Sequence, residues 1–304
     1  MGYNHAHRRQ FTPLAVEYTL AEVFPSADAP ARTARQALLA QLDKAVSGLA
    51  QRNRSDGMIH EIRKDLKRAR ASLRLLRDCV GFAEYQRDNA MIRDAARPLT
   101  PVRDAKVLLE ALRRWGPEGG GNGFVSRLYG VLKQQRRTAQ RQLRPSELVH
   151  AARVLRAIRR RAAALPDRRL ELADRAGLKR AYKSGRKAFA RACKQRTDER
   201  LHEWRKQTKY FANQLEIVLP FEPKRFAKSR RRAHRLADTL GDDHDLALLT
   251  EQIFKHAKGD HAPSQDDLVQ GLIGSLARER KKLQKNAFRL GRRLYASRAR
   301  RYQP

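Results

Sequence analysis

Residues 60–80 read HEIRKDLKRARASLRLLRDCV, and this stretch decides the fold class because its side chains follow the period of an α-helix. Apolar residues recur at alternating steps of three and four, as they do in a helix that buries one face. They are Ile59, Ile62, Leu66, Ala69, Leu73, Leu76 and Val80. Similar segments, broken by proline and glycine, cover nearly the whole chain, and none alternates apolar and polar residues as a strand does. The sequence therefore predicts an all-α protein.

A stripe of basic residues lies beside this apolar face. Each member follows an apolar position by one residue, which corresponds to a turn of about 100° around the helix axis. The stripe consists of His60, Arg63, Lys67, Arg70, Arg74 and Arg77, with Lys64 on its outer flank. Basic side chains often flank a buried face and extend over it, but an ordinary exposed face mixes charges of both signs. We therefore favour an anion-binding surface over a plain solvated one.

The same pattern occurs a second time in the chain. The segment HEIRKDLK at 60–67 matches HEWRKQTK at 202–209, and LTPVRDAKVLLE at 99–110 matches LGDDHDLALLTE at 240–251. Two motifs in the same order, at a nearly constant offset of 141 or 142 residues, predict an internal duplication. We expect two pseudo-symmetric helical bundles, at residues 30–165 and 166–304, preceded by an N-terminal extension at residues 1–29. Such bundles can face each other and bring His60 and His202 to one surface.

Each copy of the basic motif is expected at the start of its helix. Asp56 and Asp198 precede the two histidines by four residues and are typical of helix N-caps. Cations near a helix N-terminus are disfavoured by about 0.3–1 kcal/mol each, whereas the same position favours phosphate. An arrangement that costs stability in the free protein is explained if an anion binds there.

The composition limits the classes of partner. The chain of 304 residues has 67 Lys and Arg against 32 Asp and Glu, a formal net charge of +35, which favours a polyanion. Charge alone does not choose among DNA, RNA, an anionic membrane and inorganic polyphosphate. No segment approaches the roughly 18 apolar residues of a membrane span. The isolated cysteines, Cys79 and Cys193, favour a reducing compartment, so we expect a cytoplasmic protein.

The helical pattern is interrupted at defined places. The predicted helices cover residues 32–51, 57–80, 84–97, 99–115, 124–143, 146–165, 170–195, 199–219, 222–240, 242–258 and 265–297. The clearest break is the glycine run GPEGGGNG at 116–123. Because it lacks a following Gly-Lys-Ser or Gly-Lys-Thr, it is predicted to connect helices rather than to bind phosphate.

Taken together, the motifs resemble those of the CHAD family, named for histidines in an α-helical domain. Besides the repeated His-x-x-Arg-Lys-x-x-Lys, they include AYKSGRKAF at 181–189, LGDDHDL at 240–246 and LGRRLY at 290–295. The resemblance covers nearly the whole chain from about residue 30. It implies a two-lobed helical fold with a basic central groove or pore, binding of inorganic polyphosphate, and association with polyphosphate granules. The Glu-x-Glu-x-Lys motif of the CYTH domain, to which family members are often fused, does not occur here, so we expect a stand-alone binding module.

Carried over onto this chain, the resemblance implies a set of phosphate contacts. They are His60, Arg63, Lys64, Lys67, His202, Arg205, Lys206 and Lys209, with Arg70 and Arg74 extending the first stripe, Lys183, Arg186 and Lys187 preceding the second motif, and Arg292 and Arg293 near the C-terminus. Asp104, Asp245 and His244 are predicted to orient neighbouring side chains. The first copy has Arg103 where the second has His244, so the two copies need not act alike. Gly185 either permits a close approach of backbone or ligand, or is simply tolerated in its helix.

Two other functions stay open from the sequence. A nonspecific nucleic-acid-binding protein would share the charge, at least at low salt, although Trp204 and Phe211 fall on the apolar face, where they cannot stack on bases. A metal-dependent polyphosphate hydrolase is suggested by His244-Asp245, but the surrounding arginines and lysines would repel a divalent cation.

We therefore expect a binding protein without catalytic residues, metal or cofactor, whose partners are polyphosphate and, on the granules, other granule proteins. Protonated histidine donates from both ring nitrogens, so the binding is expected to strengthen toward acidic pH.

Overall fold

The computed structural model describes residues 30–51, 55–116, 123–166, 174–220, 223–257, 263–296 and 299–302. Its helices are α1 (Pro30–Ala50), α2 (Asp56–Leu75), α3 (Arg77–Val80), α4 (Phe82–Ala95), α5 (Thr100–Trp115), α6 (Gly123–Arg141), α7 (Pro145–Ala163), α8 (Asp174–Lys194), α9 (Asp198–Val218), α10 (Pro223–Ala257) and α11 (Pro263–Tyr295), with 3-10 turns at Arg97–Leu99 and Ala299–Tyr302. These ranges contain no strand, and the predicted all-α class is confirmed. The predicted extension at 1–29 and most of the glycine run lie outside the described residues. Across the same ranges, no helix combines the length and the apolar character that crossing a membrane requires.

The two motif helices, α2 and α9, begin at hydroxyl caps rather than at the predicted aspartates. The Ser55 and Thr197 side chains accept hydrogen bonds from the backbone N–H three residues later, at 3.2 and 3.3 Å. Asp56 and Asp198 are the first helical residues instead. The predicted N-caps were therefore wrong by one residue, because a serine or threonine directly before the aspartate takes the capping position.

The aspartates at the helix starts bind basic residues of other helices. Asp56 pairs with Arg136 of α6 at 3.2 Å and accepts from Gln140 at 2.6 Å. Asp198 pairs with Arg280 of α11. In each half, the start of the motif helix is thus tied to the helix that follows the LTPVRDAK or LGDDHDLA segment.

One continuous helix, α10, occurs where two helices were predicted. We expected a break near Gly241, but this glycine is buried inside the helix. At the offset of 141 residues, the first half is instead divided into α4, a 3-10 turn and α5. Pro98 and Pro101 interrupt backbone hydrogen bonding there, whereas Thr239 and Asp242 stand at the corresponding positions of α10. Likewise α2 ends at Leu75, before the predicted end at residue 80.

Two apolar cores hold the helices together. The larger core contains the apolar faces of α1, α2, α4, α7, α8 and α9, with the first half of α10 and the last part of α11. The smaller core contains α5, α6, the last part of α10 and the first part of α11. Trp204 and Phe211 are fully buried in the larger core, as their place on the apolar face predicted. Each core joins helices from both halves of the chain, and the predicted boundary between residues 165 and 166 stays a prediction.

Glycine permits close contacts in the larger core, among them one on α8 and one on α11. A Cβ atom at Gly185 of α8 would lie 2.6 Å from the Tyr295 hydroxyl oxygen, and one at Gly291 of α11 would lie 2.6 Å from Trp204. The Tyr295 hydroxyl also shares a hydrogen bond with Thr208 at 3.1 Å. The space beside Gly185 is therefore filled by a protein side chain, and the need for glycine there arises from helix packing.

Candidate functional site

The basic faces of α2 and α9 meet where these two helices pack against each other. Gln214 of α9 donates to the carbonyl oxygen of Ala71 in α2 at 3.3 Å, which fixes their register. Further toward the helix starts, Lys67 of α2 is near enough to Arg205 and Lys209 of α9 for their charges to act on it. The fold thus brings together basic residues of both motif copies.

We call this group the cation cluster and define it as Arg63, Lys67, Arg103, Arg205 and Lys209. Three helices contribute to it, since Arg103 belongs to α5. Arg103 lies between Val102, which packs in the larger core, and Leu108, which packs in the smaller core. The cation cluster therefore lies where the two cores meet.

Both lysines of the cation cluster have strongly lowered pKa values. Burial, followed by the charges of Lys209 and three arginines, lowers the pKa of Lys67 to about 7. Burial and the charge of Arg205 lower the pKa of Lys209 to about 8. Protein atoms surround the Lys67 side chain closely enough to lower its pKa, but the side chain is still accessible to water. The charged lysines are thus destabilised in the free protein, and an incoming anion would relieve that repulsion.

The arginines of the cation cluster offer unused hydrogen-bond donors. Arg63 is held in place because its Nη1 donates to the Ala96 carbonyl oxygen at 3.1 Å and to the Thr100 hydroxyl at 2.6 Å. Its Nε, like that of Arg205, is buried without a hydrogen-bond partner. Buried N–H groups without partners are uncommon and costly. An anionic oxygen would satisfy such donors with charge-assisted hydrogen bonds.

Three histidines lie beside the cation cluster. His60 shares a small pocket with Arg103, between α2 and α5. The His202 and His244 ring centroids are 4.7 Å apart. Partial burial is the largest cause that lowers the pKa of His60 and of His202. Burial, followed by the charge of Arg205, lowers the pKa of His244 to about 4. These imidazoles are therefore mainly neutral at pH 7.

Carboxylates on α5 and α10 border the cation cluster. Asp104 forms an ion pair with Arg103 at 2.9 Å. The charges of Arg205 and Arg103 act on Asp245, but the Oδ1 atom of Asp245 is buried and accepts no hydrogen bond. Burial raises the pKa of Asp245, which opposes the effect of these cations. The border of the cation cluster thus contains one carboxylate oxygen that no donor satisfies.

Several predicted phosphate contacts have other partners in this structure. Lys64 and Lys206 make ion pairs with Glu61 and Glu203, three residues earlier in their helices, at 3.2 and 2.5 Å. These pairs lie on the outer flanks of α2 and α9. The charges of Lys64 and Lys206 still act on His60 and His202, respectively, and the role of these lysines in binding stays a prediction.

The remaining predicted contacts lie farther along the helices. Arg70 donates to Asn89 at 2.9 Å, and the Arg74 guanidinium lies 3.8 Å from the ring centroid of Tyr210. Five others are exposed on α8 and α11, namely Lys183, Arg186, Lys187, Arg292 and Arg293. Within the described residues, no hydrogen bond or ion pair joins these five to the cation cluster.

Arg103 is the residue that the sequence analysis did not assign to the site. Its position in the first copy corresponds to His244 in the second, and this difference in the repeat was the available indication. The side chain influences the pKa values of Arg63, Lys67 and Asp245, which belong to α2 and α10. Arg103 therefore connects the first half of the site with the second.

The chain is similar to one protein family and to proteins of known structure. A family model described as the CHAD domain matches residues 31–253. The crystal structure of the CHAD domain from the plant Ricinus communis is similar, with a TM-score of 0.64, 19% identity, and coverage of 89% of this chain and 93% of that chain. PptA from Streptomyces chartreusis is similar with a TM-score of 0.63, 14% identity, and coverage of 86% and 99%. No curated protein sequence matches the chain. At such identities the two structures show a shared fold alone.

Proposed function

Since the chain belongs to the CHAD family, we propose that it binds inorganic polyphosphate at the cation cluster, with His60 and His202 at its sides. The observation that carries the proposal is the convergence of Lys67 and Lys209, one from each motif copy, with three arginines. This arrangement stores repulsion in the free protein. A chain of linked phosphates supplies one negative charge at each unit and would relieve the repulsion at several positions together.

The hydrogen-bonding groups of the cation cluster also suit phosphate oxygens. Arg63 and Arg205 each have a buried Nε without a partner, and both come from the helix turns that carry the motif histidines. Guanidinium groups bind phosphate through directed hydrogen bonds, and ammonium groups bind it as point charges. A thin, flexible chain can contact α2, α5 and α9 in succession. The groove or pore expected from the family resemblance is part of this proposal.

Nucleic acid is the second candidate, and the net charge of +35 is what favours it. Binding of single strands without sequence preference relies on aromatic side chains that stack on bases. In the second motif helix Trp204 and Phe211 are fully buried, and Tyr210, next to Lys209, is 8% exposed with the Arg74 guanidinium over its ring. The cation cluster therefore offers positive charge and hydrogen-bond donors, but α9 exposes no Trp, Tyr or Phe ring there on which a base could stack. We expect nucleic acid to bind more weakly and mainly at low salt.

A polyphosphate hydrolase would need a metal site or a nucleophile. In the part of the chain that the structure describes, no three His, Cys, Asp or Glu side chains are grouped as a metal site. His244 and Asp245 lie near Arg205 and Arg103, whose charges oppose a divalent cation. We therefore propose binding without turnover. From the family resemblance we also propose a place on cytoplasmic polyphosphate granules beside other granule proteins.

Competition between polyphosphate and DNA tests this proposal. At an ionic strength of about 0.15 M, long-chain polyphosphate is expected to displace a labelled DNA duplex at a phosphate concentration about tenfold lower than the reverse displacement requires. Displacement at equal phosphate concentrations in both directions would favour a general polyanion binder. A parallel incubation of polyphosphate with Mg²⁺ or Mn²⁺ measures released phosphate, and release above that of the protein-free sample would contradict binding without turnover.

A further inference from the structure

We infer that Asp245 makes the site select phosphate groups that carry a proton, which in a linear polyphosphate are the two chain ends. This inference rests on the proposed function, because it specifies which part of a polyphosphate the cation cluster holds. It assigns to Asp245 a direct contact with the ligand, in place of the orienting role expected from the sequence.

Asp245 has a buried hydrogen-bond acceptor to which no group of the protein donates. Positive charges reach it from three helices, namely Lys67 of α2, Arg103 of α5, and Arg205 and Lys209 of α9. On its own helix, the charge of Asp242 lies nearby. The Oδ1 atom of Asp245 is nevertheless buried and accepts no hydrogen bond. A buried acceptor without a partner costs free energy unless a ligand or water donates to it.

The neighbouring carboxylates differ in this respect. Asp104 is paired with Arg103 at 2.9 Å, and Asp242 is paired with Arg114 at 3.1 Å. Asp243 accepts from Arg280 at 3.1 Å and from Gln284 at 3.0 Å. Asp238, whose charge acts on Lys209, is exposed to water, so Asp245 is the carboxylate of this group with a buried oxygen that lacks a donor. Its position beside the cation cluster places it next to any phosphate that the cluster binds.

A phosphate oxygen beside Asp245 would bring two anionic groups together. Such a pair is stable when one proton is shared between the two oxygens. An internal phosphate of a linear chain is a strong acid and has no proton to share at neutral pH. A terminal phosphate loses its second proton near pH 6 to 7, as phosphate monoesters do at about pH 6. The terminal P–O–H group can therefore donate to Oδ1 while its other oxygens accept from the arginines. Burial also raises the pKa of Asp245, which favours a proton between the two groups.

Linear and cyclic triphosphates test the inference because both contain three phosphorus atoms but only the linear one has ends. We compare linear tripolyphosphate with cyclic trimetaphosphate by calorimetry at pH 6.5. The wild-type protein is expected to prefer the linear compound, and Asp245→Asn is expected to reduce this linear-to-cyclic affinity ratio by about tenfold. Asp43→Asn, which removes one carboxylate from an ion pair with Arg159 between α1 and α7, is expected to leave the ratio unchanged. An equal ratio in wild type and Asp245→Asn overturns the inference.

A second comparison leaves Asp245 in place and applies even if Asp245→Asn does not fold. Raising the pH to 9 removes the proton of the terminal phosphate, but Lys67 and Lys209 lose charge over the same range, so the linear-to-cyclic ratio is measured in the Lys67→Gln and Lys209→Gln variant, where it is expected to fall. In that variant a site that recognises charge alone would show the opposite, because the linear compound gains negative charge over this range. A ratio that stays constant or rises overturns the inference while long-chain polyphosphate still binds. Absence of binding by any of these compounds, long-chain polyphosphate included, contradicts the proposed function itself.

Discussion

Replacing Lys67 and Lys209 together by glutamine is expected to weaken the binding of long-chain polyphosphate by about 100-fold and to stabilise the free protein. Each ammonium group supplies a charge-assisted hydrogen bond worth about tenfold in affinity. Without ligand, however, the same charges are disfavoured by burial and by neighbouring arginines. Removing them is expected to raise the free energy of unfolding by less than about 1 kcal/mol, because water reaches Lys67 and screens its charge. Titration of labelled polyphosphate and thermal unfolding measure the two effects.

The matched control removes two lysine charges at other places. Lys133 of α6 and Lys255 of α10 are exposed, so the Lys133→Gln and Lys255→Gln pair has the same net charge as the first variant. We expect this control to bind polyphosphate within about threefold of the wild type, since distant exposed charges are screened by salt. If the two pairs weaken binding equally, the net charge suffices and the cation cluster has no special role. A loss of stability in the first pair would contradict the repulsion inferred among its cations.

The second large effect concerns pH. The affinity for polyphosphate is expected to fall by about 100-fold between pH 6.5 and pH 9 at constant ionic strength. The free protein has a pKa of about 7 at Lys67 and about 8 at Lys209. A bound phosphate favours the charged form and raises both values, so binding takes up protons. The affinity for polyphosphate is consequently lost as the pH rises through the pKa values that Lys67 and Lys209 have in the free protein.

This pH dependence belongs to the lysines rather than to the histidines that the sequence suggested. The pKa values of His60 and His202 are lowered in the free protein, and that of His244 is about 4. The imidazoles therefore gain charge mainly below the range of this experiment, where they add to the binding. The Lys67→Gln and Lys209→Gln variant is expected to have a shallower profile than the wild type between pH 6.5 and pH 9, because only the terminal phosphate proton of the ligand still titrates there. A pH profile as steep as that of the wild type would show that groups other than Lys67 and Lys209 cause the pH dependence.

Local patterns in the sequence predicted much of the fold. The steps of three and four in α2 and α9 correctly placed Trp204 and Phe211 in the core, because helical periodicity depends only on neighbouring residues. The predicted ends failed where two local preferences compete. A serine or threonine before each aspartate takes the cap, and Gly241 continues a helix whose buried face favours continuity.

The composition of the site could be predicted only in part. The same motif contains Lys64, which turns to Glu61, and Lys67, which belongs to the cation cluster. The helical period separates these two faces and predicted Lys64 on the outer flank. Arg103 and Asp245 depend instead on how α5 and α10 meet α2 and α9, between the two cores. Such contacts between distant segments leave no periodic pattern in the sequence.

The convergence of the two motif copies is tested most directly by the acetylation rate of each lysine, followed by mass spectrometry at pH 7.5. A lysine with a lowered pKa contains more of the neutral, reactive amine. Lys67 and Lys209 are therefore predicted to react faster than the exposed Lys133, and long-chain polyphosphate is predicted to protect both with the same midpoint. Protection of only one of the two, or equal protection of Lys133, would contradict a single site shared by both halves of the chain.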